Sequence, residues 1–219
     1  MGKQYTGPWS YSKLRDYEQC PAMFNRRHMQ RLKEPESKAL EHGSKVHGDI
    51  EAWLNGWNQS MSVEMQPMAT EFEELKLCKP VAEQMWAHDN NFEPLEDAFG
   101  AGVWVRAKTD AFLLEGPLAY VFDWKTGRPK PMNQDQLRFY GLLTLMRHPT
   151  VKTVNLELWY VEKAEVVTGE VKRKDLKKLI KEFSSRVKPL YAETRWKETP
   201  SLDCRWCPFS KTKGGVCSY

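Results

Sequence analysis

The chain reads as an α/β protein, a core of a few mixed strands flanked by helices. Three observations predict that class. Residues 102–115 and 118–125 alternate as strands on either side of a tight turn at Glu115-Gly116-Pro117. A second alternating run, 152–162, follows a helical segment at 134–147, and 164–171 is placed to pair back on it. Helical patterns bracket the strands on both sides, so the strands have apolar faces to cover them.

In chain order, residues 1–9 form an irregular lead. A helix is then predicted from Ser10 or Ser12, with Tyr11, Leu14 and Tyr17 on one face and Pro21 interrupting or restarting it. A polar stretch over 33–38 leads to a second helix, capped by Ser44, running to about Leu54 and closed by Gly56. The segment 62–92 reads as helix, because Met65, Met68, Phe72, Leu75, Val81, Met85 and Trp86 recur at helical spacing. That stripe is read as core packing, and Cys78 within it as a small buried apolar residue. The strand pair follows, then a turn-rich piece over 126–134, the helix 134–147 and the strands of the second run. The chain closes on an amphipathic helix over 172–191, with Leu176, Leu179, Ile180, Phe183, Val187 and Leu190 along its apolar stripe. There is no internal repeat and no low-complexity linker.

At 219 residues the chain buries roughly 70% of its unfolded surface as one domain, without needing disulfides. Its net charge of +4 permits a polyanionic partner without requiring one. Basic residues gather at 26–33, including Arg26, Arg27, Arg31 and Lys33, and at 172–181, whereas 65–99 is acidic. Those basic runs offer either a face that follows a phosphate backbone or an ordinary solvated one. No apolar run approaches the ~20 residues of a membrane span and no signal peptide is visible, so a cytoplasmic protein with reduced or metal-bound cysteines is expected.

The residues that carry chemistry lie around the hairpin. Asp110 is on its first strand, and Asp123 and Lys125 are two apart on its second, hence on one face. Carboxylates are the hard oxygen donors that Mg²⁺ and Mn²⁺ prefer, and a neighbouring lysine offsets charge on a reacting phosphate. The bland alternative is a surface ion pair between Asp123 and Lys125. The apolar setting of VFDWKTG argues against it, since charges enter a core only with partners. His47 follows small residues, Gly43 and Ser44, and precedes Glu51 by one helical turn, a spacing that lets an imidazole approach a strand pair. Gln136 and Tyr140 share a face of the helix after the acid strand. Tyr140 is equally readable as core.

Taken together, GSKVHGDIE around His47, RAKTDAF at Asp110, FDWKTG at Asp123 and Lys125, and QLRFY at Gln136 and Tyr140 resemble the RecB-like branch of the PD-(D/E)XK nucleases. The opening SYSKLRDYEQCPAMFNRRHM resembles that branch's usual start. The resemblance covers most of the chain and implies a restriction-endonuclease-like core and a divalent-metal DNA nuclease, most simply an exonuclease in recombination, repair or phage DNA metabolism. It implies His47, Asp110 and Asp123 as metal ligands, assisted by the backbone carbonyl of Trp124. Lys125 becomes the catalytic lysine, Gln136 and Tyr140 the motif after it, and Glu51 a secondary candidate. A recombination or helicase protein is an implied partner. A catalytically disabled nucleic-acid-binding module of the same fold is the alternative.

Three further cysteines crowd the C-terminal end: Cys204 and Cys207 in a CRWC motif, then Cys217. With Cys20 they match, by the same resemblance, the four ligands of a [4Fe–4S] cluster that joins the chain's two ends. Four soft thiolates suit zinc as well. The gap between Cys207 and Cys217 is longer than the usual pattern.

Overall fold

The structure, a computed structural model, describes residues 2–128 and 131–219, the side chains of 131 and 132 aside. The turn-rich piece expected over 126–134 therefore lies partly outside the described residues. Chain contacts divide the molecule into two compact units. One comprises 37–180; the other joins the segments 1–36 and 181–219.

The larger unit is built on a six-stranded mixed sheet in the order β2-β1-β3-β4-β5-β6. Its strands are β1 (Val81–His88), β2 (Pro94–Leu95), β3 (Val105–Glu115), β4 (Leu118–Lys125), β5 (Thr153–Tyr160) and β6 (Glu165–Lys172). The predicted hairpin is β3–β4, with Glu115 opposite Leu118 and Gly116 at φ 57°, a left-handed turn position that glycine fills without strain. β4 and β5 are parallel, so the chain must cross over between them, and α5 (Pro131–Arg147) makes that crossover. The remaining pairings are antiparallel. The α/β class with a mixed sheet and flanking helices is what the sequence predicts.

One apolar cluster covers this sheet. Val46, Ile50 and Trp53 of α3 (Lys38–Leu54) join Phe72 and Leu75 of α4 (Ala69–Leu77), and both meet Phe122 and Trp124 of β4 and Trp159 of β5. Phe72 lies edge-on to Trp53, Trp124 and Trp159, with centroids 6.3, 5.5 and 5.1 Å away, the geometry aromatic quadrupoles favour. Along β4, Asp123 and Lys125 alternate with Phe122 and Trp124, so the pleat that buries the aromatics turns the acid and the lysine to the opposite face.

The smaller unit contains α1 (Tyr11–Gln19), capped by Ser10, and α2 (Pro21–Phe24), which Pro21 restarts as predicted. The two chain ends are knitted by backbone and side chain. Gly2 N–H donates to the Thr194 carbonyl, Trp196 Nε1 to that of Lys3, and Arg186 binds Glu18 through two hydrogen bonds of 2.8 Å. Phe24 stacks on Trp196 with centroids 5.6 Å apart. The unit boundary falls within α6 (Leu176–Ala192).

Four expectations are corrected. The stretch 62–92 is not one helix: a 3₁₀ turn (Val63–Met68) and α4 occupy its first half, and β1 its second. Met65, Met68, Phe72 and Leu75 are core as expected, but Val81 and Met85 are exposed because a strand pairing overrides their helical spacing. Cys78 is exposed at the end of α4 rather than buried. α3 begins at Lys38 with Ser37 as its cap, so Ser44 is interior. The last helix starts at Leu176, because Lys172 ends β6 and Arg173 donates to the carbonyls of Leu145, His148 and Val151.

Candidate active site

The site forms where β3, β4, α3 and α5 of the larger unit bring their polar residues together. Asp110, on β3, is 8% exposed. Its Oδ2 accepts the Trp124 backbone N–H at 2.7 Å, which fixes the carboxylate across the hairpin, while Oδ1 lies 3.3 Å from His47 Nδ1 of α3. Burial disfavours a charged His47 imidazole, but the adjacent Asp110 carboxylate outweighs it and raises its pKa overall.

Asp123 is 3% exposed and forms an ion pair with Lys125. Burial pushes its carboxyl up to about 6 against the opposing pull of the Lys125 ammonium. Gln136 of α5 clamps this pair. Its Nε2 donates to Asp123 Oδ1 at 3.1 Å and to the Tyr140 hydroxyl at 2.8 Å, and its Oε1 accepts from Lys125 Nζ at 3.3 Å. The Tyr140 hydroxyl donates in turn to the Lys108 carbonyl at 3.1 Å. Tyr140 is thus both core and site: burial, then the charges of Asp123 and Asp110, keep its phenol protonated far above the usual range.

Two site residues escaped the sequence reading. Glu83 of β1 falls between the paired positions Ala82–Ala111 and Gln84–Thr109, opposite Asp110 but outside the ladder. Its φ of 54° is a left-handed value that costs a non-glycine residue about 1–2 kcal/mol. His47, Glu83 and Asp110 each present a ligand atom, all within 4.8 Å of one another. Lys108, two residues before Asp110 on β3, forms an ion pair with Glu83. Reading 62–92 as helix hid Glu83; a strand with an acid opposite Asp110 would have exposed it. Glu51, the secondary candidate, lines the same cleft of about 530 Å³ as His47, Glu83, Lys108, Asp110 and Thr126. Trp124 contributes its N–H to Asp110, with its indole in the core.

The donor set suits a hard divalent ion: carboxylates and one imidazole, converging in a water-accessible cleft with a lysine at hand. It defines a class, an α/β protein with an acidic cluster that could hold a metal ion and a partnered lysine on adjacent strands. A sequence model described as "PD-(D/E)XK nuclease superfamily" matches residues 8–212. The chain belongs to the PD-(D/E)XK nuclease superfamily, whose members are metal-dependent nucleases. No curated protein matches it. Among solved structures it is similar to one described as the crystal structure of SSO0001, at 12% identity and a TM-score of 0.46 over 99% of this chain and 88% of that one.

In the smaller unit, Cys20, Cys204, Cys207 and Cys217 line one cavity with Arg26 and Glu198. Burial, together with the neighbouring cysteines, raises the Cys207 thiol, and Glu198 is held at about 2 by its ion pair with Arg26. The basic residues expected to follow phosphates divide in the structure. Arg26 is committed to Glu198, and Arg27 to Asp16 and Glu34, whereas Arg31, Lys33, Lys177 and Lys178 are exposed. Among the described residues no helix is long and apolar enough to cross a membrane.

Proposed function

We propose that this chain is a DNA exonuclease of the RecB-like branch, acting with Mg²⁺ or Mn²⁺ in recombination, repair or phage DNA metabolism. The observation that carries the reading is the Gln136 clamp, which holds Lys125 against Asp123 on the strand hydrogen-bonded to the one bearing Asp110 and His47's contact. His47, Asp110 and Asp123 would hold the ion, with the Trp124 carbonyl beside them. The ion, when bound, supplies Lewis acidity at the scissile phosphate and a more acidic attacking water. Lys125 carries the fixed positive charge that offsets negative charge developing on the phosphate oxygens, and Gln136 and Tyr140 hold that ammonium in place.

The four cysteines are the natural seat of a [4Fe–4S] cluster. Soft thiolates from both ends of the chain line one cavity, a donor set that fits such a cluster and also zinc. On this reading 1–219 works as one nuclease, with the cluster as a structural staple, and a recombination or helicase protein supplies DNA ends.

The test uses end-labelled linear and covalently closed circular DNA with Mg²⁺ or Mn²⁺. Linear DNA is expected to be degraded from its ends and circles spared. Lys125→Ala and Asp110→Ala are each expected to lower the rate by roughly 10²–10³-fold or more with the fold intact. Full activity in both variants overturns the assignment of the centre. Anaerobically purified protein is expected to be brown, with a visible absorption lost in Cys204→Ser; a colourless protein carrying stoichiometric zinc overturns the cluster.

A further inference from the structure

Glu83 and Lys108 belong to the same cleft as His47 and Asp110, yet the two acids and the lysine on the hairpin account for nothing they do. Glu83's side chain is 9% exposed, and its Oε2 forms no hydrogen bond, only the ion pair with Lys108. A buried carboxylate is kept charged only by a partner, and here the partner is a flexible, half-exposed ammonium on the neighbouring strand. The Glu83 carboxylate also lies within 4.8 Å of the ligand atoms of both His47 and Asp110, which no ordinary strand–strand ion pair requires. Lys108's ammonium is stabilised by Glu83 first and by the charges of Glu51 and Asp110.

We infer that Glu83 is a fourth side-chain ligand of the divalent ion, beside His47, Asp110 and Asp123, and that Lys108 is a cation held in reserve, which Glu83 releases to the substrate phosphate when the ion binds. This rests on the metal-dependent nuclease reading of the same site. Charge supports the exchange. With neutral His47, the group of Glu83, Asp110 and Lys108 carries one net negative charge. A divalent ion reverses that sign, so the ion and the ammonium compete for the same carboxylate, and a phosphate monoanion restores neutrality. Lys108 lines the cleft and is half exposed, so its four-carbon stem can turn to an anion there without any movement of the backbone.

The experiment measures Mn²⁺ binding by titration calorimetry and by electron paramagnetic resonance, in the full chain. Thermal unfolding is followed with EDTA and with Mn²⁺. Glu83→Gln is expected to weaken Mn²⁺ at least tenfold and to lose the rise in Tm that Mn²⁺ gives the wild type. Lys108→Met is expected to bind Mn²⁺ at least as tightly as wild type, because a competitor is gone, while its turnover on DNA falls. The double variant E83Q/K108M leaves neither charge unpaired and is expected to bind Mn²⁺ as weakly as E83Q. If Glu83 merely partners Lys108, both single variants will weaken Mn²⁺ alike, or the double variant will recover wild-type affinity; either result overturns the inference. Wild type that cleaves DNA while E83Q keeps full Mn²⁺ affinity sinks this inference alone. Mn²⁺ binding that depends on Glu83, without any cleavage of DNA, sinks the nuclease reading alone.

Discussion

Lys125 is held by Gln136 as well as by Asp123 of its own strand. A lysine side chain has four rotatable bonds, and the Asp123 ion pair alone would leave the ammonium mobile. Gln136 touches both members of that pair and the Tyr140 hydroxyl, so one amide fixes three groups. Gln136→Ala is therefore expected to lower kcat by about 10²-fold with little change in Tm, as a misplacement on the order of 1 Å does in a positioned site. Steady-state kinetics on linear DNA check it, and an unchanged kcat removes Gln136 from the positioning role. Asp123 shows the other side of the arrangement. Its carboxyl is pushed up to about 6 because burial outweighs the lysine.

At the scale of elements, the site depends on how closely α5 lies on the sheet. Gly141 is one residue beyond Tyr140, and a Cβ built on it would come within 2.8 Å of Val171 Cγ2 and 2.9 Å of Val171 Cβ on β6. Glycine there lets the helix approach, and the approach carries Gln136 and Tyr140 to their partners one turn away. Gly141→Ala is expected to destabilise the protein by about 1–3 kcal/mol, since a rigid β-branched neighbour cannot yield, and to lower activity with it. Urea unfolding reads the first effect; a stability unchanged within error would show that the contact is slack. The hairpin itself is robust, because β3 and β4 each have a partner on both sides.

For the molecule as a whole, pH dependence follows from His88. It is fully buried at the end of β1, its Nδ1–H donates to the Phe92 carbonyl at 2.8 Å, and its Nε2 has no partner. Burial lowers its pKa to about 4, from an ordinary 6.5. Between those values the unfolded chain holds a proton that the folded chain does not. Stability is therefore fully present above about pH 6.5 and is lost as pH falls towards 4. At pH 5 the loss from this residue is about 2 kcal/mol. Urea unfolding of wild type at pH 7 and pH 5, beside His88→Gln, tests this: the variant is expected to show a flatter pH dependence. Equal slopes in both proteins would assign the acid sensitivity elsewhere. The smaller unit is held by other means, a stacked Phe24–Trp196 pair and the doubly bonded Arg186–Glu18.

The residue pattern alone determined the α/β class, the β3–β4 hairpin and the Pro21 break, while the family resemblance grouped His47, Asp110, Asp123, Lys125, Gln136 and Tyr140 as one set of motifs. The first three are local signals: period-two alternation, a glycine turn and a proline that interrupts a helix. Only the tertiary structure decided what β1 is. Val81, Met85 and Trp86 satisfy a helical period, but pairing with β3 along most of its length outweighs that preference, and the pairing is a long-range event that spacing does not encode. With β1 came Glu83, a left-handed residue opposite Asp110, which adds a second carboxylate within 4.8 Å of the His47 ligand atom. Charge pattern made the carboxylates and the lysine candidates for chemistry; only the packing of strand against strand decided which of them meet.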